Sequence, residues 1–443
     1  MLRNSPPQPR GGGSSPGAHL ARRTVLAGGL GLATAATLAA CGVGGGGSSA
    51  SSNSLTVLVE AGGHGQLQPI ADQFQTDTGT AVSFVELPYD GLYNRLSSEL
   101  NGNAVSFDVA ALDAIWLSAF RGALVPLDDL FTDEVKSDLF PSLVEEAAPD
   151  GTFIGMPAWT NAEILYYRTD LLEDPAHQAS FAQAYGYDLV PPTTWQQYRD
   201  VAEYFSETAD GGLYGTDVKG AVETEWLATL AQTGERTLVV DTDGTVSLGN
   251  ENSLAALDFY TSLLPYAPSG AAQLDWAGAQ NLFNQGQLAL MRFWAHGYRQ
   301  VPEDSPVAGH VGVAPMIGGA AGPAGVPGAW YLSIAKGSRK QDKARAFIQY
   351  AYDHNGLSID TSLGLAARIS ALEARQDEAG FEHFGPLLET LNAPATLPRP
   401  ALPQWQEIVD TVLIPMIQKA MEPDADNAEL LNEARKGVEN IVG

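Results

Sequence analysis

Residues 151–172 read GTFIGMPAWTNAEILYYRTDLL. Two β-rich pieces follow one another here without a turn large enough to reverse the chain cleanly. Such a passage suits a strand that leaves one lobe and enters another. Upstream, LTVLVE (Leu55 to Glu60) is a short apolar strand, and Leu67, Ile70, Ala71 and Phe74 follow it three and four apart, on one face of a helix. AVSFVE then reads as strand, YDGLYNRLSSELN as helix and FDVAAL as strand. Helices between short buried strands imply an α/β fold with a largely parallel sheet.

Downstream, PPTTWQQYRDVAEYF opens a helix with prolines just ahead and Thr194 as its N-cap. Helical patterns continue through AVETEWLATLAQTG, SLAALDFYTSLLPY and WAGAQNLFNQG, and QLALMRFW returns to strand. The Gly/Pro-rich passage VAPMIGGAAGPAGVPG precedes a strand in AWYLSIA. RKQDKARAFIQYAYD is amphipathic, with Ala344, Phe347, Ile348 and Ala351 on one face, and the C-terminal part is mostly helical. There is no internal repeat, and no apolar run after residue 41 is long enough to span a bilayer.

The first 40 residues have a different character. Arg3, Arg10, Arg22 and Arg23 occur without any acid, and an apolar run from Thr24 to Ala40 ends in small residues. That is the layout of an export signal, with Arg22-Arg23 resembling a twin-arginine motif. LAAC, ending at Cys41, resembles the bacterial lipoprotein box, which implies cleavage before the cysteine and a lipid on its sulfur. Residues 41–54 then form a flexible Gly/Ser tether.

Loss of the four arginines takes the formal charge from -28 to -32. So acidic a chain repels phosphate backbones, which disfavours nucleic acid as a partner. Cys41 is the only cysteine, so neither an intramolecular disulfide nor a thiolate metal cluster can form. The seven histidines show no metal-ligand spacing, and no metal or cofactor is expected.

From about Leu55 onwards the order of landmarks resembles the sugar-binding solute-binding proteins of ABC importers, the family that includes maltose and trehalose binders. The carriers are FDVAALDAIWLSAFRGALVPLDDL, GMPAWTNAEILYYRTDLL, VPPTTWQQY, FNQGQLALMRFW, PGAWYLSIAKGSRKQDKARAFIQYAYD, LGLAARISAL and LPRPALPQWQEI. The resemblance implies two α/β lobes joined by crossing segments, with a ligand cleft between them. Crossings near Asn161, Trp294 and Asp353 divide the chain into an N-terminal lobe (55–160 and 295–353) and a C-terminal lobe (161–294 and 354–443). It also implies a monomer, lipid-anchored to the outer face of the cytoplasmic membrane, that binds a carbohydrate and delivers it to permease subunits.

A saccharide is held by groups that pair with its hydroxyls and by aromatic faces that cover its C–H surface. The resemblance places Trp330 after a glycine loop, as a stacking residue, with Gly328 letting backbone approach the ligand. Trp294, or His296 in its place, lies near a second aromatic position. Asp113 directly follows a strand and suits either hydroxyl binding or the N-cap of AIWLSAF. Asn161 matches a crossing-strand amide, and Glu225 an acid of disaccharide binders. Arg368 is either a fork for hydroxyls or a structural ion pair. His64 and Tyr89 follow strand ends, where ligands of α/β sheets gather. A glycosidase needs two carboxyls across a scissile bond, a spacing that sequence does not reveal. No zinc-protease, nucleophile-elbow or phosphate-loop motif occurs, so neither an enzyme nor a non-transport surface lipoprotein is the leading expectation.

Overall fold

The computed structural model describes residues 53–443 apart from residue 103 and residues 209–211. The expected export signal, Cys41 and most of the 41–54 tether lie outside the described residues.

The first sheet begins with β1 (Ser54–Glu60), whose Leu55, Val57, Leu58 and Val59 are fully buried. Helix α1 (Gly63–Thr78) covers it with Leu67, Ile70, Ala71 and Phe74, and Gly79 in the left-handed region ends that helix. β2 (Ala81–Leu87), α2 (Tyr89–Asn101), β3 (Val109–Asp113) and α3 (Ala114–Phe120) follow. β1 pairs in parallel with β2 and with β3. β4 (Met156–Trp159) then runs at the far edge of this sheet, and three residues later β5 (Glu163–Arg168) starts a second one.

In the second sheet β5 lies between β6 (Leu290–Trp294) and β7 (Val311–Ala314), and both pairings are antiparallel. Helices at Trp195–Thr208, Thr224–Ala231, Glu251–Ser262 and Trp276–Asn284 belong to this half of the molecule. A two-residue ladder joins β8 (Gly318–Gly319) to β9 (Gly322–Pro323). The chain then re-enters the first sheet as β10 (Trp330–Ile334), giving the order β2-β1-β3-β10-β4.

Three expectations need correction. The sheet is parallel only across β2-β1-β3, because β10 runs antiparallel to both its neighbours. Strands β1, β3 and β4 run towards the gap between the sheets, whereas β10 arrives from that gap and must run away from it. The crossing expected near Trp294 lies instead near Gly328, since β7 still pairs with β5. Gly328 N–H donates to the Asn161 carbonyl at 2.8 Å, so two crossing strands are bonded together there.

The third crossing also comes later than Asp353. Helix Gln341–Asp353 and the turn Asn355–Asp360 both pack on the first half. Helix Phe384–Asn392 packs on β5. Residues 399–401 then touch the first half again, where Ser118 Oγ donates to the Ala401 carbonyl at 2.8 Å. The chain ends on helix Asn427–Val442, packed against Glu251–Ser262. No helix among the described residues is long and apolar enough to cross a membrane.

Candidate functional site

Strand ends meet at the gap. β1 ends in Glu60, β3 in Asp113 and β4 in Trp159, and Trp330, the first residue of β10, lies opposite Asp113. From the other sheet come Glu163, the first residue of β5, and Trp294, the last of β6, directly opposite each other. Between them lies a cavity of about 720 Å³, lined from both sheets.

Seven of the residues singled out in the sequence line this cavity: Tyr89, Asp113, Asn161, Trp294, His296, Gly328 and Trp330. Three do not. Glu225 is fully buried inside the second half, paired with Lys219 and with Arg292 Nη2 at 2.5 Å. Every residue of its helix is buried, and its first turn directs this carboxylate inward to the two cations. Arg368 donates from Nε to Asp138 at 2.7 Å and lies over the Tyr352 ring, the structural ion-pair role. His64 faces Gln68 and Glu86 across the Phe84 ring.

Trp330 is only 8% exposed. Its ring stacks on Trp159 at 5.8 Å and 19°, and the edges of Trp116 and Tyr89 close its surroundings. It forms the floor of the first half's wall more than an open platform. The opposite wall is Trp276 and Trp294, both half-buried, with centroids 5.7 Å apart. Trp276 Nε1 donates to Glu163 Oε1 at 3.2 Å, which fixes its ring plane. A Cβ on Gly328 would lie 2.7 Å from the Trp294 ring, so only glycine lets that indole lie flat on the crossing strand.

Asp113 is heavily engaged. It accepts from Ile115 N–H at 3.3 Å as the N-cap of α3, from the Tyr89 hydroxyl at 3.0 Å and from Arg399 Nη2 at 2.7 Å. Asn161 donates from Nδ2 to His296 Nδ1 at 2.7 Å. Burial holds the His296 pKa down at about 4, so the ring is neutral and that nitrogen is free to accept.

Sequence reasoning passed over Glu60, Trp159, Glu223, Trp276 and Arg399, which also line the cavity. Glu60 and Trp159 close strands, the signal by which they could have been found. Burial, then the Asp113 charge, raises Glu60 to about 7. Burial likewise raises Glu223, which sits at the N-cap position of Thr224–Ala231 without using its side chain to cap. The chemistry on offer is therefore two aromatic walls, several carboxyls, the amides of Asn161, Gln280 and Gln406, and one guanidinium. That set can cover a ring face and pair with hydroxyls.

Comparison with known proteins agrees with this geometry. A probable ABC transporter-binding protein of Deinococcus radiodurans is 28% identical over 315 residues, covering 67% of this chain and 71% of that protein. A mannitol-binding protein of Pseudomonas aeruginosa is 29% identical over 297 residues, covering 61% of this chain and 62% of that protein. The maltose-bound T. maritima MalE3 superposes with a TM-score of 0.72 at 24% identity, covering 87% of this chain and 99% of that one. This is the two-lobed periplasmic-binding-protein architecture. The profile described as bacterial extracellular solute-binding protein matches residues 61–356, and the chain belongs to that family.

Proposed function

We propose that this protein captures a sugar or sugar alcohol in the cleft between its two lobes and presents it to the permease of an ABC importer. The observation that carries this reading is the pair of indole walls lining one cavity, Trp159 and Trp330 from the first half and Trp276 and Trp294 from the second, with hydroxyl-pairing groups among the other lining residues. The mannitol-binding relative and the maltose-bound neighbour support it. Capture without turnover fits the family.

Calorimetric titration with mannitol, sorbitol, maltose and trehalose tests the proposal, with the recovered ligand checked by NMR. Saturable binding of an unchanged ligand is expected, together with a smaller radius of gyration, because a ligand favours closure only through contacts to both lobes. A chemically altered ligand, or heats absent both for these compounds and for their amino derivatives, would refute it.

Membership of an extracellular family implies export. We further infer that export ends in lipidation of Cys41, with the Gly/Ser tether holding a monomeric binding unit near the permease. Cys41→Ser is expected to move the protein from the membrane fraction to the medium, and unchanged retention would refute this.

A further inference from the structure

Positive charge is scarce in the cleft. Among the described residues lining it, Glu60, Asp113, Glu223 and Asp410 are acids and Arg399 is the single Arg or Lys. Arg399 is held by Asp113 at 2.7 Å, so that pair contributes little net charge. His296 is neutral.

Glu60 then has no cation acting on it, and Glu223 feels only Arg399, which Asp113 already holds. Glu60 stands on the first lobe, and Glu223 on the second, ahead of helix Thr224–Ala231. Glu223 is 7% exposed, and its carboxylate does not cap the helix it precedes. Burial and then the Asp113 charge raise Glu60, and burial raises Glu223 against the opposing charge of Arg399. Buried carboxyls in this condition are completed by a cation, while a neutral hydroxyl completes them only in part. The indoles of Trp159 and Trp276, which line the same cavity, are themselves attractive to a cation.

We propose that the ligand of this cleft is a polyhydroxylated compound carrying a protonated primary amine, an amino sugar or amino alditol, whose ammonium group bonds to Glu60 and Glu223. The proposal rests on the sugar-capture reading of the same cleft. It narrows the ligand class and disfavours sugar phosphates and uronic acids, which would add negative charge to a cleft already rich in it.

The test is calorimetry at neutral pH on matched compounds: glucosamine disaccharide against cellobiose and N,N′-diacetylchitobiose, glucosamine against glucose, and 1-amino-1-deoxysorbitol against sorbitol. The pairs separate a cyclic from a linear source of the amine. At least tenfold tighter binding of the amine is expected in one pair or more. Glu223→Gln and Glu60→Gln are each expected to shrink that preference at least threefold, with melting of the unliganded variants measured to confirm folding. Neutral compounds that bind as tightly as their amines would overturn the amine proposal and leave sugar capture standing. A preference that survives both substitutions would overturn the assignment to these carboxyls. Silence from every compound would overturn both readings.

Discussion

Trp330 and Trp276 form opposite walls of one cleft, yet their surroundings predict opposite consequences of truncation. Trp330 is 8% exposed and packed by Trp159, Trp116 and Tyr89. Trp330→Ala therefore empties a core position, at a cost of about 3–5 kcal/mol. For a folded chain of this size that corresponds to a fall in Tm of about 4–6 °C. Trp276 is half-buried and anchored through its indole N–H to Glu163. A ligand covering one face hides roughly a third of the 150–250 Å² an aromatic side chain buries. At about 25 cal/mol per Å² this contributes about 1.5 kcal/mol, close to a tenfold change in affinity. Calorimetric scanning of both unliganded variants, followed by titration with whichever saccharide binds the parent protein, separates the two effects. The expected pattern is a large Tm loss for Trp330→Ala and a tenfold affinity loss for Trp276→Ala with little change in Tm. If Trp330→Ala melts within 1 °C of the parent, or Trp276→Ala binds normally, the assignment of floor and platform fails.

The Asp113–Arg399 pair is buried, so Arg399→Ala strands a carboxylate and is expected to destabilise the protein by about 3–5 kcal/mol, read from urea midpoints, with Asp113→Asn in the same chain recovering part of the loss. Gly328→Ala pushes a Cβ into the Trp294 ring and is expected to weaken ligand binding several-fold. Gly65→Ala, whose added Cβ meets only the Ser362 hydroxyl at 4.0 Å, should leave affinity unchanged in the same titration. Burial depresses His296 to about 4 and His383 to about 3. The unfolded chain therefore takes up protons at these positions from about pH 6.5 downward while the folded chain refuses them. Stability present above pH 6.5 is thus lost as pH falls towards 4 and 3, and His383→Phe should flatten the acid limb of a plot of Tm against pH.

The strands of the first sheet were legible because burial on both faces leaves nearly unbroken apolar runs, as in LTVLVE. The same logic marked the passage through Asn161, where two such runs abut. What local pattern does not carry is the end of a sheet from which a returning strand enters. That depends on where the other lobe lies, and it makes β10 antiparallel. The stretch 295–329 was assigned to the first half because a crossing was expected near Trp294, and its longest strand, VGVA, is only four residues. Its pairing with β5 comes from a partner more than a hundred residues away, which no window of local periodicity contains.

At the site, position was legible and engagement was not. Strand ends pointed to Asp113 and Tyr89, but the guanidinium that occupies Asp113 comes from Arg399, 286 residues further on. The segment VETEW holds two acids, and two residues on a helix correspond to a turn of about 200°, which places them on opposing sides. Resemblance favoured Glu225, which faces the interior and is matched by Lys219 and Arg292. Glu223 lines the cleft and feels only Arg399, which Asp113 already holds. The distinction matters for function, because a carboxylate that already holds two cations adds nothing to recognition, whereas one buried without a partner costs the empty protein what a suitable ligand restores. Within these five residues, the acid that serves the fold and the acid available to a ligand differ only in helical phase.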